Sequence, residues 1–579
     1  MEEIKQDDVP LESCVVEQTN KSSFNSNNEI SHDNNLISLT DHQEHQSNDA
    51  QGVIITEKVI EDDRVSSINA EAINNNVVND CSNGGIVEYD NNIKVIECSD
   101  EDSVGSFVPL VCYSMLISMG GFIFGYDIGT IGGLVDLSSF TGIYGNSNVN
   151  DVKSFKPVTK GTIVSISCLG GFISGLIVNK LLPVMGMRFT IFVSMTSYVI
   201  GNFIILLSEN WKVIVVARIF NGIAIGITQI TCPMFISEIT PIKQRGIFTC
   251  FNQLFTTFGI VVGSITILFS ATQYYPSDNA QFQYPLCQGI VLASIGGGLI
   301  WLLPESPNWL VKNGSPIDKV KDSLRKIRSL SIDDERLTNL TVKTFDLNRV
   351  VVKTNEKDDF NNSRSILYGK PRYFIRTLIG VCLLGFQQFT GINFFFYYGL
   401  IIFENVELNT PYLVPVIFGI VNLIFSGLSI FIISIFQRRV LLISGSTLLT
   451  ILMILFTICG TILGNSLQVT VSLIIISCLF ISVFSLTWGP IASVIISELF
   501  PTNIKVKAMS ICGSSAWIFN FTISLIIPIL ASTIGLALGS LFAIITMSGA
   551  IFVYYLIPET KHVTTNTLDE KYRKSIFVN

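Results

Sequence analysis

The chain has 579 residues, of which 49% are hydrophobic and only 14% are charged, and its mean hydropathy is +0.51. This composition excludes an ordinary soluble protein, and the length excludes a single membrane hairpin. The net charge of −8 conceals a split, because residues 1–104 hold 23 acidic and 5 basic side chains while the remainder is net positive.

Residues 1–104 form an acidic, asparagine-rich segment that we predict to be disordered. It has few aromatic side chains and cannot bury enough apolar surface to offset its chain entropy. It is either a solvated cytoplasmic leader or a docking segment for cytoplasmic regulators. Its first ten residues are acidic and lack an apolar core, so we expect no cleavable signal peptide and insertion directed by the first membrane span.

Twelve apolar windows follow, each long enough for a helix that crosses a bilayer. They lie near 108–132, 160–182, 189–208, 212–234, 246–270, 283–303, 373–398, 411–435, 440–463, 468–495, 507–531 and 534–557. The prediction is an all-α membrane protein with twelve transmembrane helices in two six-helix pseudo-repeats and a central cytoplasmic helical insert. The predicted domains are the tail at 1–104, an N-terminal half at 105–303, the insert at 304–372, a C-terminal half at 373–558 and a short C-terminal tail at 559–579.

The basic residues orient these spans. In the insert, lysine and arginine recur at helical spacing, which predicts short amphipathic helices at the membrane surface. Basic residues also follow the second, fourth, eighth and tenth spans, on the side that the insert and both termini share. By the positive-inside rule this side is cytoplasmic, so both termini are expected in the cytoplasm.

The membrane part is a tandem duplication. The element Ser-Glu-x-x-Pro, with a cation four residues after the proline, occurs at 237–245 and again at 497–505, and Pro-Glu-Ser at 304–306 returns as Pro-Glu-Thr at 558–560. Parallel repeats of hydrophobic spans are typical of transporters whose substrate site lies between two similar halves.

Two charges lie inside predicted spans, Asp127 and Arg218. Each costs at least about 2.5–3.5 kcal/mol at mid-membrane, so we predict that they pair and neutralise one another. The pair is either a fixed internal salt bridge or a proton-sensitive coupling pair.

The seventh span carries neutral amides at Gln387, Gln388 and Asn393, and further amides occur at Gln253 and Asn422. Amides both donate and accept hydrogen bonds without carrying charge. Together they favour a polar, uncharged ligand such as a sugar, whereas an anionic substrate would require convergent cations.

No cofactor is predicted. The 12 cysteines are scattered, mostly within apolar segments, without the spacing of a disulfide framework or a metal site. The sequence also lacks a nucleotide-binding loop and a polar domain of adequate size, so neither an enzyme nor a nucleic-acid partner is expected.

Four motifs in order carry a family resemblance: Gly120–Asp127, Pro304–Pro307, Gln387–Gly399 and Pro558–Lys561. They resemble the sugar porter family of the major facilitator superfamily, and most of all fungal hexose transporters. The resemblance implies a twelve-helix bundle that holds a hexose at mid-membrane. The sugar contacts that it implies are Phe124, Gln253, Gln387, Gln388, Asn393, Tyr397, Asn422 and Trp517.

The chain departs from the family pattern at two positions of that site. Ser493 stands where the family usually has an aromatic residue, and Ala516 stands where an asparagine precedes the tryptophan. Each lost hydrogen-bond partner costs about 0.5–1.5 kcal/mol, so we expect either a low affinity or an unusual preferred sugar.

The resemblance also implies a salt-bridge network that closes the cytoplasmic side when the site faces outward. Its residues here would be Arg188, Glu238, Arg245, Glu305, Arg438, Arg439, Glu498, Lys505 and Glu559. Five of the family's latch positions are replaced, by Pro183, Met187, Asn308, Ser434 and Gln437. We therefore expect a population shifted toward the inward-open state.

The leading prediction is a plasma-membrane transporter that moves a hexose, by facilitated or proton-coupled transport, with the lipid bilayer and the monosaccharide as its partners. One alternative is a sugar receptor of the same fold that does not transport. Against it, only 21 residues follow Pro558, whereas fungal receptors of this family signal through a long C-terminal extension. The other alternative is a transporter of a polyol or another neutral solute.

Overall fold

The computed structural model describes residues 104–149, 152–241, 244–345, 372–403, 411–462, 467–500, 502–561 and 565–574. The predicted disorder of the N-terminal tail concerns residues that lie outside these ranges, apart from Val104. Residues 346–371 of the predicted insert also lie outside these ranges.

Six long helices form the first half. They are α1 (Phe107–Leu134), α3 (Pro157–Met185), α4 (Met187–Leu206), α5 (Trp211–Ile239), α6 (Arg245–Gln273) and α7 (Ala280–Leu299). Between α1 and α3 lie the short helix α2 (Ser138–Tyr144) and an antiparallel hairpin, β1 (Ser147–Val149) and β2 (Val152–Ser154), in which Ser147 faces Ser154.

Three shorter helices follow in the insert: α8 (Pro307–Lys312), α9 (Ile317–Arg328) and a stretch at 335–345, here α10. Helix α9 is amphipathic, because Val320, Leu324 and Ile327 recur on one face and are buried. Val320 and Leu324 pack with Leu337 and Leu340 of α10 in a small separate core.

The second half contains α11 (Tyr373–Phe389), α12 (Ile392–Phe403), α13 (Leu413–Ile435), α14 (Arg438–Ile462), α15 (Leu467–Leu486), α16 (Trp488–Leu499), α17 (Thr502–Ile534) and α18 (Leu538–Leu556), followed by α19 (Thr565–Lys574). The seventh predicted span is therefore two helices. They part at Gly391, whose φ of +98° is a conformation that glycine adopts readily. The tenth predicted span is also divided into two helices, α15 and α16, which part at Thr487.

Among the described residues, eleven helical segments are long and apolar enough to cross a membrane. The last of them, Lys507–Leu556, has 50 residues, more than twice the roughly 20 that a bilayer requires. A 3₁₀ turn at Gly535–Ala537 divides it into α17 and α18. Large apolar side chains such as Leu176, Phe431 and Ile544 face outward along these helices, each at least 60% exposed, as expected of lipid-facing surface.

Small residues allow the helices to approach closely. A Cβ atom added at Gly222 of α5 would lie 1.9 Å from the Ser167 carbonyl oxygen of α3, and one added at Gly125 of α1 would lie 1.8 Å from the Thr256 carbonyl oxygen of α6. The two halves meet where α3 packs on α17, α6 on α13 and α1 on α12. These contacts surround the residues that the sequence singles out.

Candidate functional site

An amide cluster lies at the break between α11 and α12. The Asn393 Nδ2 atom donates to Gln388 Oε1 at 3.2 Å and to Asn520 Oδ1 at 3.3 Å. Ser524 Oγ donates to the same Asn520 oxygen at 3.0 Å, and the Tyr397 hydroxyl is also hydrogen-bonded to Asn520. The break brings Gln388 and Asn393, which are five residues apart, together against α17.

Asn520 is a residue that the sequence reasoning missed. It follows Ala516 by four residues on α17, so the two share a helix face. It is 6% exposed. The amide that appeared to be lost at Ala516 is thus present one turn further along the same helix.

Gln387 has a different environment from its neighbour. Its Nε2 atom donates to the backbone carbonyls of Trp488 and Gly489 at 2.8 and 2.9 Å. These residues begin α16, just after the break of the tenth span. Gln387 therefore ties the two interrupted spans together, and a sugar contact for it stays a prediction.

The other predicted contacts lie on several helices. The Asn422 Oδ1 atom accepts hydrogen bonds from Ser485 and Ser426 at 2.7 and 3.3 Å, which holds this amide between α13 and α15. Gln253 on α6 is half-buried, and its side chain makes no hydrogen bond within the described part of the chain.

An aromatic pair bridges the halves. The rings of Phe124 on α1 and Trp517 on α17 lie edge to face with centroids 5.6 Å apart. The Trp517 ring also covers Gly171 of α3, where an added Cβ would be 2.6 Å from it. The pair presents partly buried aromatic surface next to the amides.

The predicted pairing of Asp127 and Arg218 is present in the structure. The guanidinium donates to both carboxylate oxygens, at 2.5 and 2.9 Å, and both residues are buried. Ser167 accepts from Arg218 at 3.2 Å, and the Tyr198 hydroxyl donates to Asp127 at 3.4 Å. A bidentate pair with further hydrogen bonds is the geometry that repays the desolvation of two buried charges.

The predicted latch of the first half centres on Glu305. One of its oxygens accepts from the Met187 backbone amide at 3.0 Å, and the other lies 3.5 Å from Arg188 Nε. Arg188 also donates to the Leu303 carbonyl at 2.7 Å. Glu238 accepts a hydrogen bond from the Ser306 hydroxyl. The carboxylate of Glu305 thus caps the N-terminus of α4, where a negative charge is favourable.

The latch of the second half repeats this arrangement and adds an ion pair. Glu559 accepts from the backbone amides of Arg438 and Arg439 at 3.2 and 3.0 Å, which caps α14. Glu498 accepts from Thr560 at 2.5 Å, and Arg438 donates to Glu498 at 3.0 Å. Burial raises the pKa of the Glu498 carboxyl, against the opposing effects of Thr560 and Arg438.

Two residues of the predicted network, Arg245 and Lys505, have side chains outside the described residues. The described latch contacts join residues within one half or the other.

Two further latch contacts, which the sequence reasoning missed, hold the ends of the second and eighth spans. Trp309 Nε1 lies 3.1 Å from the carbonyl oxygens of Leu182 and Pro183. Lys561 Nζ donates to the Ser434 and Ile435 carbonyls at 2.7 and 2.9 Å.

At the other end of the bundle, Asp136 joins three helices. It forms a salt bridge with the buried Lys160 of α3. Its backbone carbonyl accepts from the Tyr412 hydroxyl at 3.3 Å, which links the start of α13 to the end of α1. Near this contact, a Cβ added at Gly132 would lie 2.7 Å from the Phe396 carbonyl oxygen. The halves are therefore in close contact on this side of the amide cluster.

Comparisons with known proteins agree with this arrangement. The model of the family "Sugar (and other) transporter" matches residues 113–572. Hexose transporter HXT14 of Saccharomyces cerevisiae is 32% identical over 498 residues, which cover 82% of this chain and 92% of that protein. Low-affinity glucose transporter HXT3 of the same yeast is 30% identical, with 82% and 83% covered.

Among solved structures, the fold resembles the inward-open xylose transporter XylE from E. coli, with a TM-score of 0.65 at 23% identity over 80% of this chain and 99% of that one. The proton:xylose symporter XylE bound to 6-bromo-6-deoxy-D-glucose gives a TM-score of 0.66, with the same identity and coverage. At this identity the likeness concerns the fold.

Proposed function

The chain belongs to the sugar transporter family, and from that premise we propose that it moves a glucose-like hexose across the plasma membrane by alternating access. The observation that carries this proposal is the amide cluster of Gln388, Asn393 and Asn520 at the break of the seventh span. The curated relatives are named as hexose and glucose transporters.

The chemistry of the cluster suits a neutral polyol. A sugar hydroxyl both donates and accepts, and so do the amides of Gln388, Asn393 and Asn520. The Phe124–Trp517 pair offers aromatic surface to the C–H faces of a sugar ring. Arg218 forms a salt bridge with Asp127, and Lys160 forms one with Asp136. Neither cation is therefore available to bind an anionic substrate.

The architecture supports alternating access. The protein is a multi-pass membrane protein, and we propose twelve spans by counting α17 and α18 separately, with the insert and both termini in the cytoplasm. The duplicated halves enclose the amide cluster between them, and the cytoplasmic latches lie at equivalent places in each half. Rocking of one half against the other would expose the cluster to the two sides in turn.

The comparisons do not favour a receptor that does not transport. The relatives are named as transporters, and the match to this chain covers most of their length. The polyol alternative differs only in substrate, so the same assay with a labelled polyol decides it.

The test is uptake of labelled sugars by cells that lack other hexose carriers. Saturable uptake of glucose or a related hexose is the expected result, and a protonophore added to half of the samples separates facilitated from proton-coupled transport. Absence of uptake of every sugar, with the protein present at the cell surface, would contradict the proposal.

A further inference from the structure

One amide on α5 has no hydrogen-bond partner. The Nε2 atom of Gln229 is buried, and neither atom of the amide makes a hydrogen bond within the described part of the chain. The amides of Gln387, Gln388 and Asn393, by contrast, are all bonded. A buried donor without a partner costs about 1–3 kcal/mol. A buried donor of this kind calls for an explanation, and a bound water or ligand is one that fits.

The position of Gln229 on α5 shows where its side chain points. It follows Arg218 by eleven residues, which places it about 20° around the helix from that residue and about 16 Å further along the axis. Arg218 points to Asp127 of α1 and Ser167 of α3. Gln229 therefore lies on the face of α5 that looks between α1 and α3.

Close contacts on both sides of this face support the position of Gln229 between α1 and α3. A Cβ added at Gly120 of α1 would lie 2.5 Å from Cys232 and 2.9 Å from Thr228 of α5. A Cβ added at Gly226 of α5 would lie 1.9 Å from Ser174 of α3. Helix α1 thus packs on one side of Gln229 and α3 on the other, and the amide faces the interior between them.

The aromatic pair lies at a neighbouring level. Gly171 of α3 is 2.7 Å from the Cβ that Gly226 would carry, and the Trp517 ring covers the same glycine. Gln229 comes three residues after Gly226. In the proposed topology it therefore lies about one turn to the cytoplasmic side of Trp517.

We propose that Gln229 is a further sugar-contacting residue, whose amide donates to a hydroxyl of the hexose on the cytoplasmic side of the Phe124–Trp517 pair. This inference rests on the proposed function and adds a specificity determinant to it. An uncharged donor and acceptor matches a sugar hydroxyl, and the ligand supplies the partner that the protein does not. Gln229 also places an amide within about one turn of Trp517, where Ala516 supplies none.

The test compares glucose with its monodeoxy analogues as inhibitors of labelled glucose uptake. Gln229→Leu should raise the KM for glucose about 2- to 10-fold, because one hydrogen bond to the sugar is lost. The wild type should discriminate against one particular deoxy sugar, and the variant should lose that discrimination while keeping the others. A merely structural role would not change the response to a single hydroxyl.

The matched control is Gln288→Leu. This amide lies on α7 and accepts a hydrogen bond from Thr266 at 2.9 Å, so its loss should leave the deoxy-sugar profile unchanged. If Gln229→Leu fails to reach the membrane, Gln229→Asn takes its place, since the shorter side chain withdraws the amide and is judged by the same criteria.

Wild-type uptake with an unchanged KM and deoxy-sugar profile in the Gln229 variant would overturn this inference alone. Absence of uptake by the wild type would overturn the proposed function as well.

Discussion

The two halves of the molecule differ in the chemistry of their interiors. The first half has a bidentate ion pair deep in its core, Arg218 with Asp127, while the corresponding interior of the second half contains the neutral amides of Gln388, Asn393 and Asn520. At the predicted cytoplasmic end both halves carry an ion pair, Arg188 with Glu305 and Arg438 with Glu498. The halves thus share a fold but divide its chemistry, and we assign sugar binding mainly to the second half.

The latches show what the duplication retained. In both halves a glutamate caps the third membrane span by accepting from backbone amides: Glu305 caps α4 and Glu559 caps α14. In the second half Arg438 pairs with Glu498, whereas Met187 occupies the place of Arg438 in the first half. Contacts with the backbone survive substitution of neighbouring side chains, whereas a side-chain pair is lost with either partner.

The largest effect should come from breaking the deep ion pair. Arg218→Leu leaves the buried Asp127 without its partner, which should destabilise the protein by about 3–5 kcal/mol. The measurement is the thermal unfolding temperature of the purified protein in detergent. The double variant Asp127→Asn with Arg218→Leu should recover most of the loss. Equal destabilisation in the single and double variants would contradict the charge argument.

The next effect concerns the amides of the second half. Asn393→Ala removes the donor that contacts both Gln388 and Asn520, so the KM for hexose should rise about 2- to 10-fold. Gln387→Ala is the control, because its amide binds the Trp488 and Gly489 carbonyls and its loss should lower stability more than affinity. Identical KM values in the two variants would show that the division between binding and bracing amides is wrong.

A smaller effect is expected from exchanging the latches. Arg438→Met makes the second half resemble the first and removes a partly buried ion pair worth about 1 kcal/mol or less. The inward-open population should increase about 2- to 5-fold, measured as faster labelling of a cysteine introduced at Ser493 in a background without other reactive cysteines. Met187→Arg should act in the opposite direction, by adding a cation to the latch of the first half. Labelling that does not change in either variant would contradict the role assigned to the latch.

The smallest effect is a pH dependence of the second latch. Burial raises the pKa of Glu498 above its ordinary value of 4.5, so the folded protein binds this proton more tightly than the unfolded chain. The contribution of Glu498 to stability is then greatest below pH 4.5 and is lost as the pH rises through the folded-state pKa. Glu498→Gln should remove this component from the pH profile of the unfolding temperature. Parallel profiles for the variant and the wild type would show that the carboxyl is not perturbed.

Sequence alone predicted the features that follow from the energetic cost of charges in a membrane span and from the duplicated motifs. The pairing of Asp127 with Arg218 was predictable because an unpaired charge inside a span is expensive. The equivalence of Glu305 and Glu559 followed from the duplicated motifs. The place of Asn393 in an amide cluster was recognisable because it lies in a dense run of amides and aromatic residues, and its contact with a sugar stays a prediction.

The rest depends on tertiary geometry. Apolar windows do not show that the seventh and tenth spans are broken. Because of these breaks, Gln387 hydrogen-bonds to the start of α16 while Gln388 hydrogen-bonds to Asn393. Asn520 is an isolated asparagine in the apolar part of α17, so its signal was its spacing from Ala516. The contact of Tyr412 with Asp136 joins residues 276 positions apart, and no local pattern predicts it.

The most direct test of sugar binding in the second half is counterflow of labelled glucose in liposomes that contain the purified protein. The wild type should show saturable counterflow, and the combination of Gln388→Ala with Asn393→Ala should lose saturation over the same concentration range while Gln387→Ala keeps it. Counterflow that is absent in the wild type, or equally saturable when both amides are removed, would contradict the account.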